Sequence, residues 1–371
     1  MDSPVSMRDI ARHSTVSVAT VSKCLSGKRD VSEATRRRVV EACRKLGYRP
    51  NPLVAALMRS RRRHLEPAQR LTLAYVTAFP TADGWRQHPS PIFRQMFSGA
   101  EARAQERNYQ LEHFWLHREG MSNERFSQVL EARGIRGLLI APVPDTHTSI
   151  DLNWSAFSTV VLGLTPTTRA FHRVTTDYYQ SMLLTMEHCL KLGYQRPGLA
   201  VRLETIKRLE FRWEGAYLAA CERFGVAAPQ PLFVDEWTEE NVERWLERET
   251  PDVVIGPVLG KLEEIICASA RRVPADLGLV GLLVPKAGDR LSGVLQDGEV
   301  IGAVAIDQLI AAVERNETGI PEHPITHTTL GRWNPGRTLK KIAGSSVPFH
   351  SHNSMSAKHS VSPPRAPTAT A

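Results

Sequence analysis

From residue 71 to about 316 the sequence alternates short apolar runs with longer amphipathic segments, and that alternation leaves few folds open. "LTLAYVT" (71–77) is strand-like, "SPIFRQMFSGAEARAQERNY" (90–109) carries apolar residues at helical spacing, and "QLEHFWL" and "GLLIAP" are strand-like again. The pattern returns in "STVVLGL", "YYQSMLLTMEHCLKLGY", "PGLAV" and "RLEFRWEGAYLAACERFGV". It continues in "PDVVIGP", a helix at 259–270, "LGLVGLL" and "GEVIGAVAIDQLIAAVERN". Repeated strand–helix alternation implies parallel sheets with helices on both faces. The segment is long enough for two domains of ordinary size. Two such sheets flanking a cleft would suit a small ligand.

The first sixty-odd residues follow another rule. "SVATVSKCLSG" (17–27) predicts a short helix with Ser17 as N-cap and Gly27 just past its end. At about 100° per residue, Thr20, Val21, Cys24 and Leu25 share one arc, and Ala19, Ser22 and Lys23 share the other, with Val18 at its edge. A solvent-facing arc normally collects Glu, Lys and Gln. This one is small and flat with a single cation, as if another surface must come close, and a DNA major groove is one such surface. Upstream, Ser6 and Asp9 form a capping-box pair, and Ile10 and Ala11 an apolar edge. Downstream, Ser32 caps a helix that sets Val39, Ala42, Cys43 and Leu46 on one side and ends at Gly47. Two short helices joined by a tight turn, with a third beside them, make the helix-turn-helix plan around a very small core.

Charge divides the chain in the same place. Residues 1–64 hold fifteen Lys and Arg against five Asp and Glu, a net +10, whereas the whole chain is +8. Everything after residue 64 therefore sums to −2. A concentrated basic unit beside a near-neutral body is the electrostatic footprint of a nucleic-acid reader. In "YRPNPLVAALMRSRRR" (48–63), Asn51 can cap a two-turn helix with Pro52 at its first position. So short a helix is marginal alone in water. It could fold when DNA buries Leu57 and Met58.

Residues 7–60 resemble the DNA-binding headpiece and hinge of the LacI-type (lactose-repressor/galactose-repressor) family of bacterial transcription regulators. The likeness rests on "MRDIARHSTVSVATVSKCLSG" and "VSEATRRRVVEACRKLGYRPNPLVAALM". The resemblance implies that Val18, Ala19 and Lys23 reach base edges in the major groove and that Ser17, Thr20 and Ser22 hold phosphates. It also implies that Leu57, with Val54 and Asn51 beside it, enters the minor groove at the operator centre, where a leucine wedge kinks DNA. Val18 and Ala19 can offer only apolar contact, for example to a thymine methyl, whereas Lys23 can donate to guanine.

The remainder is similar to the two-lobed, periplasmic-binding-protein-like core of that family, an α/β fold in which the chain crosses between lobes three times. The crossings are expected near 163, 296 and 323. The domains are then a headpiece at 1–47, a hinge at 48–64, and an N-terminal lobe at 70–163 plus 296–323. A C-terminal lobe follows at 164–295 plus 324–340, and a tail at 343–371 is expected to be disordered from its Ser/Pro/Thr/Ala composition. "RWEGAYLAA" fits the family's R-x-x-G segment, so the resemblance makes Arg212 an effector-contact candidate, the alternative being a salt-bridged surface arginine; Asp177, in "VTTDYYQS", is either a second contact or a helix cap. Trp85, in the loop "PTADGWRQHPSP", could stack on a ligand ring or merely be a surface aromatic. Two departures stand out: Pro257 and Val258 replace an Asn/Asp pair, and Leu283 replaces an acid. Apolar groups there leave sugar hydroxyls unpaired at about 1–3 kcal/mol each. The implied effector is a carbohydrate or a less polar metabolite, or the pocket has lost effector binding.

A cytosolic enzyme or small-molecule-binding protein is the rival class. The sequence has no GxGxxG, P-loop, GxSxG or HExxH. His113 and His117 share one strand face, but two histidines without a third ligand seldom hold a metal. Cys24, Cys43, Cys189, Cys221 and Cys267 are scattered and without CxxC spacing, as in reduced cytosolic proteins. No apolar run approaches eighteen residues and the N-terminus is polar, so a cytoplasmic protein with no membrane contact is expected. No cofactor or metal is expected. One headpiece reads too few base pairs for a genome-scale choice, so a homodimer on palindromic operator DNA is expected, most simply as a repressor. The tail carries no leucine heptads for a tetramerising coiled coil.

Overall fold

The computed structural model describes residues 7–25, 31–46, 71–143, 150–164, 170–257 and 260–342, with the backbone alone for Ser22 and Leu25. The expected caps Ser6, Gly27 and Gly47, the hinge residues Asn51, Val54 and Leu57, Val258 and the tail from 343 lie outside the described residues.

The N-terminal unit is three helices, α1 Met7–Ser14, α2 Val18–Leu25 and α3 Glu33–Leu46. Ile10, Ala11, Val21, Cys24, Val39 and Ala42 bury against one another, with Val16, Val31, Cys43 and Leu46 around them. A core this small stabilises little by itself, so the helix ends matter. Thr15 takes a left-handed φ of 54°, and the Val16 N–H donates to the Ala11 carbonyl at 3.0 Å. That closure ends α1 and turns the chain into α2. From α3 the Arg36 guanidinium donates to the Cys24 carbonyl at 3.1 Å, setting a cation on the open C-terminal end of α2.

The body begins with β1 Leu71–Thr77, α4 Gly84–Gln87, α5 Ile92–Glu106, β2 Tyr109–Trp115, α6 Asn123–Ala132, β3 Gly137–Ile140, β4 Ser158–Leu162 and β5 His172–Thr176. A second series follows: α7 Tyr178–Lys191, β6 Pro197–Arg202, α8 Leu203–Arg208, α9 Arg212–Phe224, β7 Leu232–Val234, α10 Glu239–Glu249, β8 Val253–Gly256, α11 Lys261–Ala268, β9 Gly278–Val284 and β10 Ser292–Leu295. Then come α12 Gly298–Arg315, β11 Thr326–Thr329 and β12 Arg332–Asn334. Two six-stranded sheets result, in the orders β2-β1-β3-β4-β5-β11 and β7-β6-β8-β9-β10-β12. Pairing is parallel throughout except at β12, which runs antiparallel to β10.

Each sheet is covered on both faces. Leu73 and Tyr75 of β1 point toward α5 and α12, whereas Ala74 and Val76 point toward Phe126 and Leu130 of α6. In the second lobe Leu199 and Val201 of β6 meet α7 and α9, and Ala200 meets Val242, Trp245 and Leu246 of α10. No helix among the described residues is long and apolar enough to cross a membrane.

Two of the expected lobe boundaries need correction. β5 pairs with β4 in the first sheet, so the first crossing follows Thr176 and not residue 163. β11 pairs with β5 in that sheet too, so the third crossing lies between Thr329 and Arg332 and not near 323. The second crossing is at Gln296–Asp297, between β10 and α12. The missed strands read "HRVTT" and "THTT". They lie at the edge side of the sheet, where backbone pairing and not an apolar run holds them, so hydropathy gave no signal.

α5 and α12, some two hundred residues apart in sequence, cross almost backbone to backbone. A Cβ on Gly302 would collide with the Met96 carbonyl, and one on Gly99 with the Glu299 carbonyl. Arg103 and Arg107 of α5 close the far end on Asp307 of α12, each at 2.8 Å. Gly215, on α9, has open space around the corresponding point. Gly302→Ala should therefore cost about 1–3 kcal/mol in urea unfolding, the usual range for forced overpacking. Gly215→Ala should be neutral or stabilise by up to ~1 kcal/mol through helix propensity. Equal losses for the two variants would show that the helices do not touch at Gly302.

Candidate nucleic-acid interface and ligand cleft

The α2 surface is set by its cap. Ser17 Oγ accepts from the Thr20 N–H at 3.0 Å and lies 2.8 Å from the Thr20 hydroxyl. The same S-x-x-T arrangement starts α3, where Ser32 Oγ accepts from the Thr35 N–H at 3.3 Å. With α2 fixed at this end, Val21 and Cys24 turn into the core, and Val18, Ala19 and Lys23 come together on its exposed side. Val18 is 41% exposed. Thr20 is half-buried beside the cap, and the Ser22 side chain lies outside the described residues. Arg37 and Arg38 are exposed on α3, Arg37 paired with Glu33 at 3.5 Å.

Between the lobes, beyond the carboxyl ends of both sheets, lies a cavity of about 310 Å³. Ligands of doubly wound sheets bind at this edge. Its first-lobe wall includes His88, Phe93, Thr175 and Thr176, and its second-lobe wall Tyr178, Arg208, Trp213 and Trp237. Thr176 and Gln296, from two different crossings, meet at its base: the Thr176 hydroxyl donates to Gln296 Oε1 at 3.0 Å, and Gln296 Nε2 donates to the Leu282 carbonyl at 3.2 Å. Pro257 and Leu283, the two apolar departures within the described residues, both line the cavity.

The three effector candidates lie elsewhere. The Arg212 guanidinium is about half exposed and pairs with Glu210 at 2.8 Å, outside the cavity lining. Asp177 caps α7, accepting from the Gln180 N–H at 2.9 Å, and is also outside the lining. Trp85 is neither exposed nor in the cleft. It is buried beneath its loop among Tyr75, Phe97 and His113, with ring centroids 4.8–5.6 Å away, and Arg86 lies over its ring at 4.3 Å. His113 accepts or donates at Thr77 Oγ1, 2.7 Å away, and among the described residues no group of metal-ligating side chains assembles.

The polar residues that do line the cleft were not legible beforehand. Arg208 ends α8, and burial holds its pKa below the ordinary arginine value without approaching neutrality. His88 packs on Phe93, centroids 4.4 Å apart; burial first, then the Arg208 charge, lowers its pKa and keeps it neutral at pH 7. Its Nδ1 accepts the Ser90 N–H at 3.1 Å, so the ring proton sits on Nε2. Burial raises the Tyr178 hydroxyl pKa, and Tyr178 meets Trp213 edge-on at 5.8 Å.

The model of the family described as bacterial regulatory proteins, lacI family, matches residues 6–51. That match covers the N-terminal unit, which is similar to the headpiece of the lacI family of bacterial regulatory proteins. Catabolite control protein A of Priestia megaterium is 43% identical over 53 residues, 14% of this chain and 16% of that protein, so this match covers the headpiece alone. The HTH-type transcriptional repressor PurR of Aliivibrio salmonicida is 21% identical over 335 residues, 83% of this chain and 92% of that one. A Lac repressor structure solved with ONPG in the repressed state superposes with a TM-score of 0.54 at 19% identity, covering 91% of this chain and all of that one. That likeness shows the fold. A ribose operon repressor of Bacillus subtilis is 25% identical over 340 residues, 88% of this chain and 97% of that one; with the headpiece match, this chain is a DNA-binding transcription regulator.

In this headpiece Ser17 has a structural duty separable from any contact with DNA. Ser17→Ala should lower headpiece stability by about 1 kcal/mol in the absence of DNA. Amide exchange in α2 measures it, and unchanged protection of the Thr20 amide would remove the cap from the account.

Proposed function

We propose that this chain is a repressor that binds a palindromic operator as a homodimer and alters its DNA affinity when a small effector occupies the cleft. The carrying observation is the exposed side of α2: two small apolar residues and one lysine, within a 64-residue segment whose net charge is +10. Lys23 would donate to a guanine edge, and Val18 and Ala19 would lie against thymine methyls. Ser17, Thr20 and Ser22 would hold the phosphates on either side. Leu57, with Val54 and Asn51, would form a hinge helix on DNA and wedge the central base step. Such a protein works in the cytoplasm beside the chromosome and carries out no turnover.

The cleft supports the regulatory half of the reading. It opens between two lobes joined by three neighbouring chain passages, so a ligand that favours one lobe arrangement would shift the spacing of two hinges in a dimer. Lys23→Ala should cost about 1–3 kcal/mol per half-site and relax base preference at one position. Selection from a random-sequence duplex pool measures this. An unchanged consensus would mean that α2 does not read bases.

Leu57→Ala should reduce operator bending and weaken specific binding, while nonspecific binding, which is driven by charge, stays nearly constant. A gel-shift bending assay compares the two. A wild-type bend and affinity would reduce Leu57 to a linker residue.

A further inference from the structure

The cleft's hydrogen-bonding capacity is lopsided. Arg208 lines it with no hydrogen-bond or ion-pair partner among the described residues. Trp213 also lines it, 1% exposed, and its Nε1–H is buried without an acceptor among the described residues. His88 presents its Nε2–H, because its Nδ1 is already occupied by the Ser90 N–H. Three donors are left open: a guanidinium, an indole and an imidazole.

Anionic acceptors are scarce. Glu204 is the one carboxylate among the described lining residues, and it faces Arg202 at 3.5 Å, while Ser90, Thr175, Thr205 and Tyr178 offer only neutral hydroxyls. The Gln296 amide is used at both ends, by Thr176 and by the Leu282 carbonyl. Arg202 is itself engaged, donating to the Asp235 carbonyl at 2.9 Å as well as facing Glu204. A polyol could give its protons to the Ser90, Thr175, Thr205 and Tyr178 hydroxyls, but its neutral oxygens would leave the Arg208 charge uncompensated. A carboxylate or phosphate oxygen only accepts. It can take two N–H groups from one guanidinium and a third from a neighbouring ring.

We propose that the effector is a small organic anion, its carboxylate or phosphate held by Arg208 with Trp213 Nε1 and His88 Nε2, and its apolar body against Trp237 and Leu283. This deepens the regulatory reading above and rests on it for the word effector, but the anion site stands on the cleft alone. Arg208 and Trp213 belong to the second lobe and His88 to the first, so the anion bridges the two.

Intrinsic fluorescence tests it in the full chain without DNA. All seven tryptophans lie beyond residue 84, so anions on the basic headpiece are silent. The probes are inorganic phosphate and acetate, the two headgroups without a body, with glucose as the neutral probe, all at ionic strength matched by sodium chloride. Phosphate or acetate should give a saturable change in wild type, and whichever does so names the headgroup. Arg208→Gln should weaken that response at least tenfold, and Arg212→Gln should leave it within twofold. Arg208→Gln should also match or exceed the wild-type Tm in ligand-free buffer, since it removes an unpaired desolvated charge, whereas a merely structural arginine would lower it. The proposal is overturned by no saturable response to either anion, by an undiminished response in Arg208→Gln, by a lower Tm for Arg208→Gln, or by glucose producing the change. Loss of operator binding in separate gel shifts, with the anion response intact, would count against the regulatory reading and leave the anion site standing.

Discussion

Three passages of one chain, side by side, hold the two lobes together, and most of the architecture follows from that constraint. They are the steps from Thr176 to Tyr178, from Leu295 to Gly298 and from Thr329 to Arg332. They are bonded to one another: the Asp177 N–H donates to the Thr329 carbonyl at 2.9 Å, Thr176 to Gln296 at 3.0 Å, and Arg332 pairs with Asp297 at 3.3 Å. At Gly331 a Cβ would collide with Val294, so the third passage lies against the second with no side chain between. Returning the chain twice is what places α12 on the first lobe and β12 on the second. The carboxyl ends of both sheets then face each other across one cleft, and the lobes can rotate about a narrow waist without unpairing either sheet.

The headpiece obeys a different balance. Its apolar core is small, and together with the hinge segment it carries a net +10 against +8 for the whole chain. Like charges so close together oppose compaction. Local devices offset part of this: the two serine caps, the left-handed turn at Thr15, Arg36 on the end of α2, and ion pairs Arg37–Glu33 and Lys45–Glu41. Arg8, Arg38 and Arg44 are exposed, where phosphates of a nucleic acid would neutralise them.

How much of this could be read beforehand depended on whether a residue's role is local. The cap at Ser17, the buried arc of Val21 and Cys24 and the exposed arc of Val18, Ala19 and Lys23 follow from spacing within a turn or two, and the sequence carried them. The central strands were equally visible, because burial on both faces demands an apolar run. β5 and β11 were not, since "HRVTT" and "THTT" are strands only through pairing with each other and with β4. Trp85 looked like a loop aromatic because nothing local shows that Tyr75, Phe97 and His113 close over it. Arg208 carried no signal of its own, with Glu204, four residues earlier, standing where a helical partner would be. What frees it is Arg202, across the end of a strand, which takes Glu204 instead. Such competition between partners is set by tertiary position, and no periodicity encodes it.

That competition also bears on why the cleft is built this way. A guanidinium without a partner, partly out of water, and an indole N–H without an acceptor both work against the closed, empty cavity. Packing alone would favour filling the space with apolar groups, as Pro257 and Leu283 do on the same walls. Tyr75, Trp85, Thr159 and His327 also bury polar atoms without a partner among the described residues, but away from the cleft; the donors that concern a ligand are those on its walls. They sit where the walls approach each other, Arg208 and Trp213 on one side and His88 on the other. Closing the cleft without an acceptor brings a cation and a buried ring together and strips both of water, while an acceptor between them reverses the sign of the interaction. A waist of three short passages supplies the freedom to move, and unsatisfied donors at the cleft supply a reason for the moved state to depend on what is bound.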